Sequence, residues 1–218
     1  MEQKIYREGS CMKVLVIGAD SEVGEFVIRS LVKHGHEAAA VLQAKNKMED
    51  IRKAGAAEVY AGDQAIEGYA RCEAIIFLSD SSPNTGAGKT VLVDHEAVAD
   101  AIQEAKQHGV NRFVMMSAVR ANEEQGGSTK NVGAKGVPDE LLEETGLVYT
   151  VVRPARMTDK PGKGAVTIAR ELSAEEATIS KEDTAAMLVA VLDRKAAYNK
   201  TFDVASGDTP IPDAFQSL

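Results

Sequence analysis

Short apolar runs alternate with stretches of helical periodicity along nearly the whole chain, and this alternation fixes the fold class. Lys13–Ile17 (KVLVI) reads as a buried strand. Val23, Phe26, Val27, Ser30 and Leu31 then recur at helical spacing, and Gly35 follows as a stop. His36–Leu42 is a second strand, Asn46–Ala54 a short polar helix closed by Gly55, and Glu58–Ala61 a third strand. Glu73–Leu78 is a fourth strand. Val98, Ala101, Ile102 and Ala105 line one face of a long helix ending at Gly109. Arg112–Ser117 is a fifth strand, Pro138–Thr145 is helical, and Leu147–Arg153 is a sixth strand. Strands covered by helices on both faces meet no water, so they read as continuous apolar runs, and these mostly do. The expectation is an α/β fold of Rossmann type: a doubly wound parallel sheet in three α/β/α layers. The tail is mixed. It holds a loop (Pro154–Gly164), an apolar stretch (Ala165–Ile168), a helix (Lys181–Asp193) and a last strand near Thr201–Ala205. Ser79–Lys89 and Ala121–Lys130 read as flexible loops just after strands, where open α/β sheets put their ligands.

The chain has 218 residues, enough for one domain with a full core. Residues 1–11 are expected to be a flexible extension, with Met12 an alternative start. Residues 12–218 form the single domain, with a small C-terminal lid or substrate region near 154–180. The formal net charge of -8 argues against a nucleic-acid surface or a polybasic membrane anchor. No apolar run approaches the ~20 residues needed to cross a bilayer, and Met1–Ser10 is too polar for a signal peptide. Cys11 and Cys72 have no metal-ligand or disulfide spacing, and the four histidines are scattered, so no metal is expected and a reducing cytoplasm fits best.

The first strand runs into Gly18-Ala19-Asp20-Ser21-Glu22-Val23-Gly24, and a helix follows. A glycine-rich turn in that context lets backbone N–H groups meet a pyrophosphate at the helix N-terminus. Gly18 serves the tight turn and Gly24 the close helix–strand packing. Asp20 and Glu22 bring negative charge to the place where such a ligand is negative. Acids there also stabilise a helix start, and Asp20 or Ser21 is a candidate N-cap. The second strand ends in Val41-Leu42-Gln43-Ala44-Lys45-Asn46-Lys47. No acid stands there to hold a ribose 2′-hydroxyl and two lysines follow, which leans toward NADP, with NAD the alternative.

The chain resembles the atypical short-chain dehydrogenase/reductases with a single NAD(P)-binding domain, the group that includes NmrA-like and flavin-reductase-like proteins. The resemblance spans about residues 12–213. It rests on VLVIGADSEVGEFV, Ala61-Gly62-Asp63, EAIIFLSDSS, NTGAGKTVLVD, NRFVMMSAV, Lys135 in NVGAK, YTVVRPARMTDKPGKG and Thr178-Ile179-Ser180-Lys181-Glu182-Asp183. It implies Asp63 at the adenine, Leu78 and Ser79 along the cofactor, and Pro154 near the nicotinamide. It implies Ser117 and Lys135 as catalytic residues, with Ser117 near the nicotinamide and Lys135 on the ribose hydroxyls. Gly18, Asp20, Ser21, Glu22, Val23 and Gln43 complete the implied cofactor set.

The sequence departs from the pattern where it matters for chemistry. Reductases of this group place a Tyr four residues before the Lys, and here that residue is Asn131. An amide has no proton to give, and general acid catalysis is typically worth about 10²–10⁴-fold. Ser21 stands where the group often has Gly, and Gln43 where an Arg often grips the 2′-phosphate. Flavins and quinones accept hydride without a strong protein acid. The expectation is therefore an NADP(H)-dependent oxidoreductase of a small, easily reduced acceptor. The alternatives are a non-catalytic NADP(H) sensor and an epimerase/dehydratase. A dinucleotide and a small-molecule acceptor are the expected partners, on a monomer or homodimer.

Overall fold

The computed structural model describes residues 9–43, 45–61, 64–78, 87–117, 141–172 and 177–218, with the side chains of 87–95 and 217 excepted. The strands are β1 (Lys13–Ile17), β2 (Glu37–Leu42), β3 (Glu58–Ala61), β4 (Ala74–Leu78), β5 (Arg112–Met116) and β6 (Val148–Pro154). They are followed by β7 (Arg156–Thr158), β8 (Ala165–Ala169), β9 (Thr178–Ser180), β10 (Lys200–Ser206) and β11 (Thr209–Pro210). Among the described residues the α-helices with both ends placed are α1 (Glu22–Lys33), α2 (Met48–Ala54), α3 (Ala65–Tyr69), α4 (Ala87–Gln107) and α5 (Lys181–Ala190).

Among the described residues nine strands form one sheet, in the order β11-β8-β10-β6-β5-β4-β1-β2-β3. From β3 through β10 every neighbouring pair is parallel; β8 runs antiparallel to β10, and β11 antiparallel to β8. The chain goes outward from β1 to β3, returns, and goes outward again from β4. The order therefore reverses between β1 and β4, and the carboxyl ends of those strands bound a crevice where doubly wound sheets bind their ligands.

Alternation along the strands separates the core into two halves. Val14 and Val16 face one side, where they join Val23, Val27 and Leu31 of α1, Ile51 of α2, and Met187 and Leu188 of α5. Leu15 faces the other, with Ile75, Phe77, Phe113 and Met115 and the α4 stripe Val98, Ala101, Ile102 and Ala105. This is the doubly wound, three-layer α/β/α Rossmann fold. Burial of each such large apolar side chain contributes about 1.5–3 kcal/mol.

Several expectations are corrected. Phe26, counted among the apolar residues of α1, is 37% exposed, whereas Ile28 is fully buried. At 100° per residue Ile28 joins the stripe of Val23, Val27 and Leu31, and Phe26 falls off it. The loop Pro154–Gly164 contains β7, which pairs in parallel with β9 as a separate two-stranded sheet. The stretch Ser79–Lys89 is not all loop, because α4 begins at Ala87. The helix from Lys181 ends at Ala190, and Asn46 and Lys47 lie in a 3₁₀ turn before α2. Three short elements carry no sequence signal of their own: α3, β11 and the C-terminal 3₁₀ turns of Ile211–Ser217. Ala121–Lys130 lies outside the described residues, as does Pro138–Thr145 except for its end, where 141–143 is helical. Of the proposed extension only 9–11 is described; Gly9 N–H donates to Asp193, and Met12 beyond it is buried.

Candidate functional site

The turn after β1 is shaped by its two glycines. Gly18 follows the strand at φ 78°, in the left-handed region that favours glycine. Its N–H and that of Ala19 both donate to the Val41 carbonyl of β2. A Cβ at Gly18 would lie 2.7 Å from the Leu78 carbonyl oxygen, so the turn rests directly on the end of β4. A Cβ at Gly24 would lie 2.5 Å from the Ala19 carbonyl oxygen. Only hydrogen fits at either place. Glycine at both places keeps the turn close against the strand ends at the β1/β4 switch point; the N–H groups of Gly18, Ala19, Ser21 and Gly24 are engaged within the protein, so those of Glu22 and Val23 in the first turn of α1 are the donors that fit a dinucleotide pyrophosphate.

Ser21 is the N-cap of α1, which settles the choice between it and Asp20. Its hydroxyl accepts from Gly24 N–H at 3.1 Å and donates to the Gly18 carbonyl at 3.0 Å. Where the related pattern has a third glycine, this chain has a side chain that ties both ends of the turn together. Val23 is buried in the core under the turn, and Asp20 is half-buried. Glu22 opens the helix and its carboxylate is ion-paired to Lys181, the first residue of α5. Lys181 also donates to Asp159 at 2.5 Å. Hydrogen bonds to Asp159 and then to Glu22 push the Lys181 ammonium above its ordinary pKa.

The other described residues of the set stand at strand ends on the same edge of the sheet. Leu78 ends β4 and Ser117 follows β5; both are buried. Ser117 N–H donates to the Val152 carbonyl, which ties that strand end to β6. Pro154 ends β6, half-buried and in register with Val204 of β10. Gln43 is exposed just beyond β2, and Lys45 and Lys47 are exposed in the 3₁₀ turn after it. The structure thus brings Gly18, Ser21, Leu78, Ser117 and Pro154 to one edge, with Gln43 at its margin. Asp63, Ser79, Asn131 and Lys135 lie outside the described residues.

The described tyrosines are placed elsewhere. Tyr60 donates to Glu58, beside Lys13 at the start of β1. Tyr69 stacks on His108 beyond the C-terminus of α4. Tyr149 donates to Glu143 from the second position of β6. Tyr198 lies under the guanidinium of Arg112, the first residue of β5. These contacts belong to the amino ends of the strands, opposite the crevice.

Two features of the C-terminal part carried no clear signal in the sequence. Asp203 is buried on β10 and accepts from Arg153 Nε at 2.8 Å and Leu172 N–H at 2.6 Å, while Arg153 also donates to the Arg170 carbonyl. This pair, with Asp203 buried and Arg153 half-buried, holds 170–172 to the sheet. Asp183, also buried, accepts from the N–H groups of Lys163 and Gly164, and Glu182 accepts from Gly162 N–H. The available signals were an acid inside the apolar run TFDVAS and the run Ser180-Lys181-Glu182-Asp183, whose partners are distant in sequence.

Comparison with known proteins agrees with this geometry. Residues 18–195 match the NAD(P)H-binding family. The Bacillus subtilis protein YhfK, which is named an uncharacterized sugar epimerase, is 36% identical over 217 residues, 95% of this chain and 100% of its own. A solved Bacillus halodurans protein, provisionally named an NAD-dependent epimerase/dehydratase, superposes with a TM-score of 0.85. It is 31% identical, over 95% of this chain and 100% of that one. A short-chain dehydrogenase/reductase from Veillonella parvula, solved in complex with NADP, has the same fold, with a TM-score of 0.70 and 13% identity over 90% of this chain and 95% of its own. The glycine turn at the β1/β4 crevice and these likenesses lead to one conclusion: the chain belongs to the NAD(P)H-binding family of Rossmann-fold, oxidoreductase/epimerase-like proteins.

Proposed function

We propose that this protein is an NADP(H)-dependent oxidoreductase of a small, easily reduced acceptor such as a quinone or flavin. The observation that carries this reading is the placement of the described tyrosines at the amino ends of the strands, together with Asn131 in the position of the usual Tyr. Carbonyl reduction and sugar epimerisation of the usual kind both need a phenol beside the nicotinamide, so both readings are weakened, although relatives carry the epimerase name. A quinone or flavin spreads the incoming charge over its own rings and takes its proton from water.

The bound nicotinamide would supply the hydride. The chain's own residues would bind and orient. The N–H groups of Glu22 and Val23 would hold the pyrophosphate at the α1 N-terminus. Leu78 and Pro154 would wall the crevice, and the Ser117 hydroxyl would hydrogen-bond the acceptor. Lys135 would hold the nicotinamide ribose. NADP is favoured over NAD because no acid stands at the end of β2, where Gln43, Lys45 and Lys47 are exposed.

The test is NADPH oxidation against a panel of quinones and flavins, with Ser117→Ala and Lys135→Ala as controls. Turnover that falls about ten-fold or more in Lys135→Ala supports the reading. NADPH binding with no turnover above that control would overturn it in favour of a non-catalytic sensor.

A further inference from the structure

The phosphate turn is an acidic place. Glu22 and Glu25 stand in the first turn of α1, and Asp20 precedes them. An anionic pyrophosphate approaching the backbone N–H groups there enters the field of these carboxylates. Lys181, from the opposite half of the chain, meets Glu22, while Glu25 is paired with Arg29 of its own helix. Its side chain is only 22% exposed, against 71% for Glu22 and 84% for Asp159, so the ammonium is the sheltered member of the trio. Glu22, Glu25, Phe26, Asp159 and Lys181 together line a surface pocket of about 280 Å³ beside the turn.

We infer that Lys181 is a positioning residue of the dinucleotide site, one that neutralises the Glu22 carboxylate and so lets an anionic pyrophosphate sit at the N-terminus of α1. The inference rests on the dinucleotide reading and deepens it. Lys181 acts through Glu22 and need not touch the ligand. The same pairing would answer one acid of the turn, Glu22, where the phosphates of an anionic cofactor would lie. The competing structural role is a plain tether, in which Lys181 serves only to hold the segment after β7 through Asp159.

Titration of the full chain with NADPH, followed by calorimetry at low salt, separates these roles. Lys181→Met is expected to weaken binding about two- to five-fold, the size of one charge at a helix N-terminus. Lys181→Arg should bind like the wild type. Adding Glu22→Gln to Lys181→Met should restore wild-type affinity, because the charge needing compensation is gone. Asp159→Asn frees the loop but leaves Glu22 paired, and should not weaken binding. The inference is overturned if the double variant stays as weak as Lys181→Met, if Lys181→Met binds like the wild type, or if Asp159→Asn is equally weak. Circular dichroism checks the fold of each variant. Should Lys181→Met not fold, Glu22→Gln alone decides: tighter binding supports the inference, and unchanged or weaker binding overturns it. Complete absence of binding by the wild type would overturn the dinucleotide reading itself, and this inference with it.

Discussion

At the residue scale, single side chains do work that their neighbours in sequence do not reveal. His36 precedes β2 and its Nδ1 accepts from Met12 N–H at 3.2 Å, so the ring is neutral there with its proton on Nε2. Burial pushes its pKa below the ordinary 6.5, against an opposing pull from Asp193. A depressed pKa means the unfolded chain binds the extra proton more readily. His36 therefore contributes its full stability above pH 6.5 and loses it as pH falls toward the folded value. The melting temperature should drop between about pH 6.5 and 5 by more in the wild type than in His36→Gln, measured by thermal scans across that range. Equal drops would sink this assignment. Lys13, Glu37 and Glu58, at the starts of β1, β2 and β3, form ion pairs of 2.9 and 3.0 Å. Lys13 lies opposite Glu37 in the strand register. A slip by one residue would separate these charges and also turn the apolar faces to the wrong sides.

At the element scale, one buried cation joins the end of α5 to the sheet. Arg112 is fully buried at the start of β5. It donates to the carbonyls of Val191 and Leu192 just past α5, to those of Phe113 and Val148, and to the Thr150 hydroxyl. A guanidinium suits this place because its planar fork reaches several acceptors at once and its charge meets the negative end of a helix. Arg112→Met would leave those carbonyls buried without this donor, at about 1–3 kcal/mol for each one unsatisfied. Urea unfolding should show a loss above about 3 kcal/mol with the slope unchanged. Arg112→Lys should lose nearly as much, since an ammonium lacks the fork. A loss below about 1 kcal/mol in Arg112→Met would contradict this account. Asp183 works at the same scale. Its two carboxylate oxygens hold the backbone of 163–164, so the first turn of α5 both caps itself through Ser180 and secures the loop that follows β7.

At the scale of the whole molecule, the parallel sheet, its reversal between β1 and β4 and the glycine turn form one binding platform. A ligand that binds only the folded chain must stabilise all of it. NADPH at about 100 times its dissociation constant adds ~2.7 kcal/mol, which for a domain of this size is a rise of roughly 5–10 °C in melting temperature. Differential scanning should show a larger rise with NADPH than with NADH at equal concentration, given Gln43, Lys45 and Lys47 at the β2 end. No rise with either at millimolar ligand would refute the platform's proposed use.

The amino-acid sequence by itself determined the layers and the place of the glycine turn at the sheet edge. β1 and β3 lie where the apolar runs begin and end, and Gly55 and Gly109 follow their helices, because those signals are local: side-chain periodicity and backbone freedom act within a few residues. The glycine turn was legible for the same reason. Only the tertiary structure decided what joins the distant parts: Lys181 with Glu22, Asp203 with Arg153, Asp183 with Lys163 and Gly164, and the pairing of β7 with β9. Polar pairs such as these carry no period and reveal no partner until packing brings them together. The sign of the charge at the glycine turn followed the same division: the acids were visible in Asp20, Glu22 and Glu25, and the cation that answers Glu22 came into view only when α5 packed against α1.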